Sequence, residues 1–404
     1  MPQLTFEEFE SRVESGQIKI AFQLVVGRGG SLFLHSLFDH HQQILSYPGM
    51  LNFYESIADK IISGADVKRT IADQLKFWNE IMLPYNVQQN LGAEKNITIK
   101  INCDAIAGMA FEIAGARAYD RKTLFLALNY SIAGYFKKDI EQVRMIYCQE
   151  HTSYPSERIF KNALSDFPEA KFLCMVRDPR ANYISIKSWE EKRYSMNVEA
   201  WEVQQFQPGL FADLCVYWYS SMLKLANKFS NSFLFIRLED LQKSREEFLR
   251  KLLAIFQVDY SESLATTTFI GHTWHGDNFS PKQAGFRTTA NPSKWRTELS
   301  KTKQAILEII LKKEMLALEY PLVNKNIFTR MIAWLLFPAW LADDLSRIFN
   351  PEFYRLERKK GYSAWRSFMY AFRIHIKGSI AILKFIFSGD RQYSNISKTI
   401  FTGR

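Results

Sequence analysis

Residues 18–26 (IKIAFQLVV), followed by Gly27-Arg28-Gly29-Gly30-Ser31, indicate the fold of this chain. The first part is mostly apolar and rich in β-branched residues, which is typical of a strand buried in a parallel sheet. The glycines permit positive φ and a close approach of the backbone to a ligand. Residues 32–37 then carry an apolar helical stripe, with Ser31 predicted as the helix N-cap. The pattern predicts a strand, a loop and a helix in succession.

This loop is a candidate anion site. Free N–H groups and the dipole at a helix N-terminus both favour negative charge, and Arg28 adds a cation with fork geometry. The alternative is a strand–turn–helix whose arginine is merely solvated. The loop differs from GxxxxGK[ST], because Ser31-Leu32 follows the last glycine where that motif has Lys-Ser/Thr. This difference disfavours an ATPase or kinase of the P-loop class.

A second segment has the same organisation. The apolar strand 172–176 runs into Arg177-Asp178-Pro179-Arg180, and proline suits the first turn of a helix. Ser185 would lie nearly two turns along that helix, where its hydroxyl and Arg177 could converge on one phosphate. The alternative is an Arg–Asp ion pair that stabilises the loop, with Ser185 exposed.

These segments and two later ones resemble the sulfotransferase family, whose sulfuryl donor is 3′-phosphoadenosine-5′-phosphosulfate (PAPS). Residues 28–32 resemble the family's 5′-phosphosulfate loop, and residues 177–181 with Ser185 resemble its 3′-phosphate motif. RLEDL (237–241) resembles the family's RYEDL, and NPSKW (291–295) resembles its closing donor-binding segment. The resemblance covers residues 18–320, with the four motifs in the family's order.

The resemblance implies a P-loop-NTPase-like α/β fold, in which helices flank a parallel β-sheet, and sulfuryl transfer from PAPS to an acceptor hydroxyl without a metal. It implies that Arg28 is also catalytic, because charge on the departing oxygen must be neutralised. Lys294 and the segment before it would close over the nucleotide. The implied donor-binding residues are Arg28, Gly29, Gly30, Ser31, Leu32, Arg177, Ser185, Ser280, Arg287 and Lys294.

Two departures from the family pattern concern catalysis. The family usually has a Glu just after the first helix as general base, whereas here the first carboxylate is Glu55, with His40 and His41 as further candidates. Glu55 could equally be a solvated residue on a helix face. Leu238 replaces the tyrosine of RYEDL. These departures motivate a second hypothesis, a sulfotransferase-like protein that binds a nucleotide or a glycan without turnover. For an enzyme, the expected acceptor is a glycan, a glycolipid or another small polar molecule.

Composition predicts a globular protein with an appendage. The chain has 404 residues, of which 47% are hydrophobic and 15% aromatic. Its four cysteines show no CxxC spacing and are expected to be buried thiols in a reducing compartment. His272 and His275 show no third metal ligand in sequence. The acidic start of the chain has no apolar segment of a signal peptide, so we expect a cytoplasmic protein.

The last fifth of the chain is strongly basic. Residues 325–404 hold 14 Lys/Arg and 5 Asp/Glu, a net charge of +9, and the whole chain has a net charge of +10. Large apolar residues are interspersed among these charges. We expect residues 1–324 to form the sulfotransferase domain and residues 325–404 a basic, aromatic-rich helical extension. This extension would either contact the inner face of a membrane peripherally or pack on the catalytic domain. A nucleic-acid partner is not expected, because no RNA- or DNA-binding motif accompanies the charge.

The coarse pattern alternates strands and helices. Strands are predicted near 18–26, 97–101, 143–148, 171–176 and 232–237. Helices are predicted at 210–229, 244–256 and 301–320, and the long loop 271–292 is predicted to be a lid over the donor.

Overall fold

The computed structural model describes most of the chain. The described residues are 4–25, 27–62, 65–82, 91–150, 156–195, 218–276, 284–286, 293–345, 351, 354–355, 358, 361–387, 393–394, 396 and 399–401.

A six-stranded parallel sheet forms the centre of the fold, in the order β2-β3-β1-β4-β5-β8. A small antiparallel hairpin, β6–β7, stands apart from it. The strands are β1 (Lys19–Leu24), β2 (Ile44–Met50), β3 (Met145–Glu150), β4 (Lys171–Val176), β5 (Phe233–Arg237), β6 (Thr268–Phe269), β7 (His272–Thr273) and β8 (Ile400–Phe401). Strands β1, β3, β4 and β5 confirm the predictions near residues 18–26, 143–148, 171–176 and 232–237.

Helices connect and cover the strands, so the fold is α/β as predicted. They are α1 (Phe6–Glu14), α2 (Ser31–Phe38), α3 (Ala58–Ile62), α4 (Val67–Lys76), α5 (Cys103–Ala114), α6 (Arg121–Tyr135), α7 (Glu157–Asp166), α8 (Pro179–Ser195), α9 (Ser221–Lys228), α10 (Leu238–Lys243), α11 (Arg245–Ala254), α12 (Trp295–Glu298), α13 (Lys301–Ile310), α14 (Lys312–Ala317), α15 (Ile327–Leu345) and α16 (Ala364–Phe387). One π-helical turn, Phe53–Ile57, precedes α3, and another, Phe77–Met82, follows α4.

Both faces of the sheet are buried, which explains the continuous apolar runs of its strands. On one face, alternate strand residues pack against α2 and α11 in a largely aliphatic core. On the other face, aromatic rings dominate: Phe22 stacks on Phe172, and Phe172 and Phe233 both pack against Phe160 of α7. The two faces therefore follow directly from the period of two along each strand.

The chain divides into two compact units. The first comprises Met1–Val176, Asn231–Ala290 and Thr399–Arg404, and contains the sheet. The second comprises Arg177–Ser230 and Asn291–Lys398, and contains α8, α9 and α12 to α16. Neither unit begins or ends at residue 324. The predicted division into a sulfotransferase domain (1–324) and an extension (325–404) stays a prediction.

Two expectations about strands differ from the structure. The strand predicted at 97–101 was wrong: these residues form an irregular segment that leads into α5. Conversely, β2 was not predicted, because it contains Pro48-Gly49, a pair that usually marks a turn. The Pro48 carbonyl accepts a hydrogen bond from Trp78 Nε1 (2.7 Å), and that buried indole covers the strand at Gly49.

Predicted helices were confirmed with shorter bounds. The prediction at 244–256 corresponds to α11, and the one at 301–320 is divided into α13 and α14. The helix at 210–229 is described from residue 218 onward, where α9 follows. Much of the predicted lid at 271–292 lies outside the described residues.

The C-terminal part of the second unit consists of two long helices, α15 and α16, which contact each other. Helix α15 also packs against α13. Among the described residues, no helix is both long and apolar enough to cross a membrane.

We expect Gly49→Ala to prevent stable folding. An added Cβ would lie 1.8 Å from Trp78 Nε1 in the core, which is far inside contact distance. The expected loss in the free energy of unfolding is about 4 kcal/mol or more, as for other severe core clashes. Gly134→Ala is the matched control, because a Cβ in that helix meets no atom within 4 Å and should stabilise by roughly 0.5–1 kcal/mol. Equal urea midpoints for the two variants would contradict the packing described here.

Candidate functional site

The loop between β1 and α2 contains two residues in the left-handed region of backbone conformation. Gly30 is the N-cap of α2 with φ of 103°, and Arg28 also has positive φ, at 60°. Ser31 is the first helical residue, so the prediction of Ser31 as N-cap was wrong. The first N–H groups of a helix have no acceptor within it. The loop can therefore present backbone donors together with the Arg28 guanidinium.

Buried polar side chains hold the loop from below. Gln23 Nε2 donates to the Ser31 carbonyl (3.0 Å). Gln23 Oε1 accepts from Gln149 Nε2 (2.7 Å) and from the Tyr147 hydroxyl. These three side chains lie on neighbouring strands β1 and β3 and are buried. The network therefore fixes the start of α2 relative to the sheet.

Leu238 provides apolar support for the same loop. A Cβ on Gly30 would come within 3.2 Å of Leu238 Cδ1 and 3.3 Å of Met175 Cε. Both side chains therefore pack closely against the glycine. The residue that replaces the family's tyrosine is thus a packing residue beneath the loop, and the close contact explains why position 30 is a glycine.

Glu55 lies in the π-helical turn that follows β2. Because all strands of the sheet are parallel, the carboxyl ends of β1 and β2 lie at the same edge of the sheet. Strand β3 lies between β1 and β2, so these two strands are about 10 Å apart. Glu55 is half-buried. Burial is the main cause that raises the pKa of its carboxyl above the usual value; the negative charge of nearby Asp59 raises it further, and the positive charge of Arg158 lowers it. A raised pKa makes the ionised carboxylate a stronger base.

Glu150 is a buried carboxyl that the sequence did not indicate. It ends β3 and is buried, with Oε1 accepting from Tyr54 N (3.2 Å). Burial raises the pKa of Glu150 to about 8, although backbone hydrogen bonds from Tyr54, Phe53 and Glu55 lower it. Glu150 thus ties the π-helical turn, and Glu55 with it, to the central sheet.

The two histidines lie away from this edge. Helix α2 runs from the loop to the opposite edge of the sheet, where His40 and His41 precede β2. His41 is buried, and its Nδ1 accepts from Gln43 N (3.2 Å). The other nitrogen, Nε2, therefore donates to the Asp259 carbonyl (2.9 Å), and burial lowers the pKa of the ring. His41 thus has a structural role.

In the second unit, the predicted phosphate motif begins α8. Arg177 and Ser185 are both half-buried, and Ser185 is the seventh residue of the helix. The Tyr219 hydroxyl donates to the Arg177 carbonyl (2.7 Å). The ion pair that was the alternative interpretation is also present, but it joins Asp178 to Arg180, with Nη2–Oδ2 at 2.7 Å. The motif therefore contains a buried ion pair directly after Arg177.

Arg180 is a fully buried cation that organises this unit. Its Nη1 donates to Glu308 Oε1 (2.5 Å), its Nη2 donates to the Pro321 carbonyl (3.0 Å), and its guanidinium lies 3.7 Å from the Trp295 ring centroid. These contacts join α8 to α12 and α13. They also hold Trp295 beside Lys294, which is exposed and pairs with Glu298 (2.5 Å).

The predicted site residues are thus distributed over several segments. The first unit holds Arg28, Gly29, Gly30, Ser31, Leu32 and Glu55, and the second holds Arg177, Ser185 and Lys294. Ser280 and Arg287 lie outside the described residues. Within the part of the chain that the structure describes, no group of His, Cys, Asp or Glu has the arrangement of a metal site. Three of the cysteines, Cys103, Cys148 and Cys174, are buried free thiols, as expected.

A sequence profile of the Sulfotransferase family matches residues 22–262 of the chain. The match includes the loop, the Arg177 motif and RLEDL, in the order described above. The chain therefore belongs to the sulfotransferase family.

Among solved structures, the chain is similar to three sulfotransferases. For the sulfotransferase domain of the Synechococcus PCC 7002 olefin synthase, identity is 16%, TM-score 0.34, and coverage 61% of this chain and 76% of the other. For the sulfotransferase domain of the curacin biosynthetic pathway, identity is 16%, the TM-score is 0.35, and the alignment covers 79% of this chain and 98% of the other. For sulfotransferase STF1 from Mycobacterium tuberculosis H37Rv, identity is 13%, the TM-score is 0.32, and the alignment covers 64% of this chain and 74% of the other. No curated protein matched.

Glu150 predicts a pH dependence of stability. The folded protein keeps a proton on Glu150 up to about pH 8, whereas an unfolded glutamate releases it near 4.5. Between these values the folded state binds more protons, so this residue's contribution to stability is lost as pH rises. Glu150→Gln should remove that slope and be more stable than wild type at about pH 9, by roughly 1 kcal/mol or more.

The measurement is the free energy of unfolding in urea from about pH 5 to pH 9, with the exposed Glu112→Gln as control. Glutamine keeps the oxygen that accepts from Tyr54 N. Parallel pH curves for wild type and Glu150→Gln would contradict the protonated state of this carboxyl.

Proposed function

We propose that this sulfotransferase uses PAPS as its donor and transfers the sulfuryl group to a hydroxyl of a glycan, a glycolipid or another small polar acceptor. The observation that carries the proposal is the loop of residues 27–31, with its left-handed Gly30 and its position between β1 and α2. A phosphosulfate carries the dispersed negative charge that such a helix N-terminus favours.

The donor-binding roles are assigned in two groups. In the first unit, the loop amides and Arg28 bind the 5′-phosphosulfate, with Gly29 to Leu32 forming the turn around it. In the second unit, Arg177 and Ser185 bind the 3′-phosphate, through paired N–H donors and a short hydroxyl. Lys294, Ser280 and Arg287 complete the contacts to the nucleotide. The family membership and the order of the motifs support this assignment.

The proposed reaction is an in-line displacement at sulfur. The acceptor oxygen forms a bond to sulfur, while the bond from sulfur to the phosphate oxygen breaks and its electrons remain on that oxygen. Arg28 and the loop amides stabilise the charge that develops there. Glu55 accepts the proton of the acceptor hydroxyl, and 3′,5′-adenosine bisphosphate leaves.

Glu150 is proposed as a positioning residue for the base. It does not touch the acceptor; it binds backbone amides of the turn that carries Glu55. Its burial beneath this turn supports a fixed position of Glu55 at the edge of the sheet. Sequence spacing alone could not find this role, because Glu150 is 95 residues later in the chain.

We expect calorimetric titration to show that binding requires the 3′-phosphate. 3′,5′-Adenosine bisphosphate should bind more tightly than AMP or ATP. Arg177→Ala should weaken its binding about 10- to 100-fold, the usual value of a charge-assisted hydrogen bond, and leave AMP affinity unchanged. The exposed Arg69→Ala is the matched control. A preference for ATP, or equal affinity for AMP and the bisphosphate, would contradict the proposed donor.

We expect Glu55→Gln to lower kcat by about 10²- to 10⁴-fold while bisphosphate affinity stays unchanged, because a glutamine amide cannot accept the proton. Arg28→Ala should lower kcat by about 10²- to 10³-fold with a smaller loss of affinity. Labelled sulfate from PAPS, followed into a panel of hydroxyl acceptors, measures the transfer. Full activity in Glu55→Gln would exclude it as the base, and tight nucleotide binding with no transfer to any acceptor would favour a binding protein without turnover.

A further inference from the structure

The two C-terminal helices carry most of the exposed large hydrophobic side chains. Of the twenty such side chains among the described residues, seven lie on α15 and eight on α16. Phe328 and Leu335 of α15 are 70% and 77% exposed, and Trp365 and Phe387 of α16 are 70% and 75% exposed. Contiguous apolar surface of this kind marks an interaction site in a folded protein.

The exposed apolar residues of α16 form one continuous stripe. They recur at intervals of three or four residues, which places them on one face of the helix. Ser367, Ile382 and Phe385 are buried and define the face that contacts the protein. We call the exposed set the apolar stripe: Trp365, Met369, Phe372, Ile376, Ile380, Leu383 and Phe387.

A row of positive charges runs beside the apolar stripe. Its members follow one another at intervals of seven, four and seven residues, so they share a face adjacent to the apolar one. All four are exposed, and α16 contains no Asp or Glu. We call this set the basic stripe: Arg366, Arg373, Lys377 and Lys384.

Helix α15 extends the apolar surface within the same unit. Ala333 and Phe337 of this helix are buried, whereas its other large hydrophobic side chains between residues 327 and 336 are exposed. Because α15 contacts α16, the exposed residues of both helices belong to neighbouring elements.

We propose that α15 and α16 bind the surface of an anionic lipid membrane. Exposed apolar side chains with a parallel basic row are the features of a helix that lies in the membrane interface. Trp365 and Tyr370 suit the headgroup level, where aromatic rings with a polar edge are favoured. The proposal is independent of the donor and of the reaction.

A second copy of this chain fits the surface less well. Helix pairing across an apolar stripe is stabilised when opposite charges flank it, and like charges destabilise it. A symmetric contact along α16 would bring two basic stripes together with no acidic residue from this helix to compensate. Charge complementarity therefore favours a surface that is itself anionic.

The test is binding of the full-length protein, without nucleotide, to vesicles of phosphatidylcholine and of a phosphatidylcholine–phosphatidylglycerol mixture. Wild type should bind the anionic vesicles much more tightly. Replacing the basic stripe with glutamine should weaken that binding about 100-fold, roughly fivefold or less per residue. The control replaces four exposed lysines elsewhere with glutamine: Lys68, Lys100, Lys312 and Lys313.

The apolar stripe is tested by Ile376→Glu with Leu383→Glu, which should reduce binding to both kinds of vesicle at least about tenfold. Both sites are exposed, and Tyr119→Glu, at a 63% exposed residue of the first unit, is the matched control. Unchanged thermal melting and far-UV circular dichroism establish that each variant is folded. No binding of wild type to either vesicle would overturn the proposal, as would sedimentation as a dimer that only the Ile376/Leu383 variant dissociates.

Discussion

The hydrogen bonds of the buried Gln23 side chain are the interactions that hold the loop of residues 27–31 on the sheet. An amide without hydrogen bonds would cost about 1–3 kcal/mol in such a place, and Gln23 avoids this cost by bonding to Ser31, Tyr147 and Gln149. Gln23 and Gln149 are register partners, so a slip of one residue between β1 and β3 would break the network. One polar group thus couples the strand register to the start of α2.

Buried charge is handled in two different ways in the two units. Glu150 is held by backbone amides, and burial favours its protonated form. Arg180 instead lies between Asp178 and Glu308, whose oxygens also accept from backbone N–H groups of Arg180 and Val323. An ion network of this kind is costly to break, because each remaining partner would stay buried and unpaired. The first arrangement can change with pH, whereas the second is a fixed connection.

Features carried by neighbouring residues were predictable from sequence, and those formed by distant residues were not. The apolar run of β1 and the following glycines predicted strand, loop and helix, because each signal is local. Strand β2 was missed since Pro48-Gly49 imitates a turn, and only Trp78, 29 residues beyond Gly49, explains the glycine. The role of Glu150 was not predictable for the same reason, because its contact comes from Tyr54, in the turn that follows β2.

For the C-terminal helices, composition indicated the kinds of residue present, and the structure shows which of them are buried and which are exposed. Their basic and aromatic content predicted either a membrane contact or packing on the catalytic domain, and the sequence could not decide between them. The structure adds that α16 has two different faces: Ile382 and Phe385 are buried, while Ile376 and Leu383 are exposed. A helix anchored along one face cannot rotate to bury the other, and exposed apolar surface costs about 25 cal/mol per Å² in water. With the basic stripe alongside, the arrangement that satisfies both stripes at once has the helix axis parallel to a charged lipid surface.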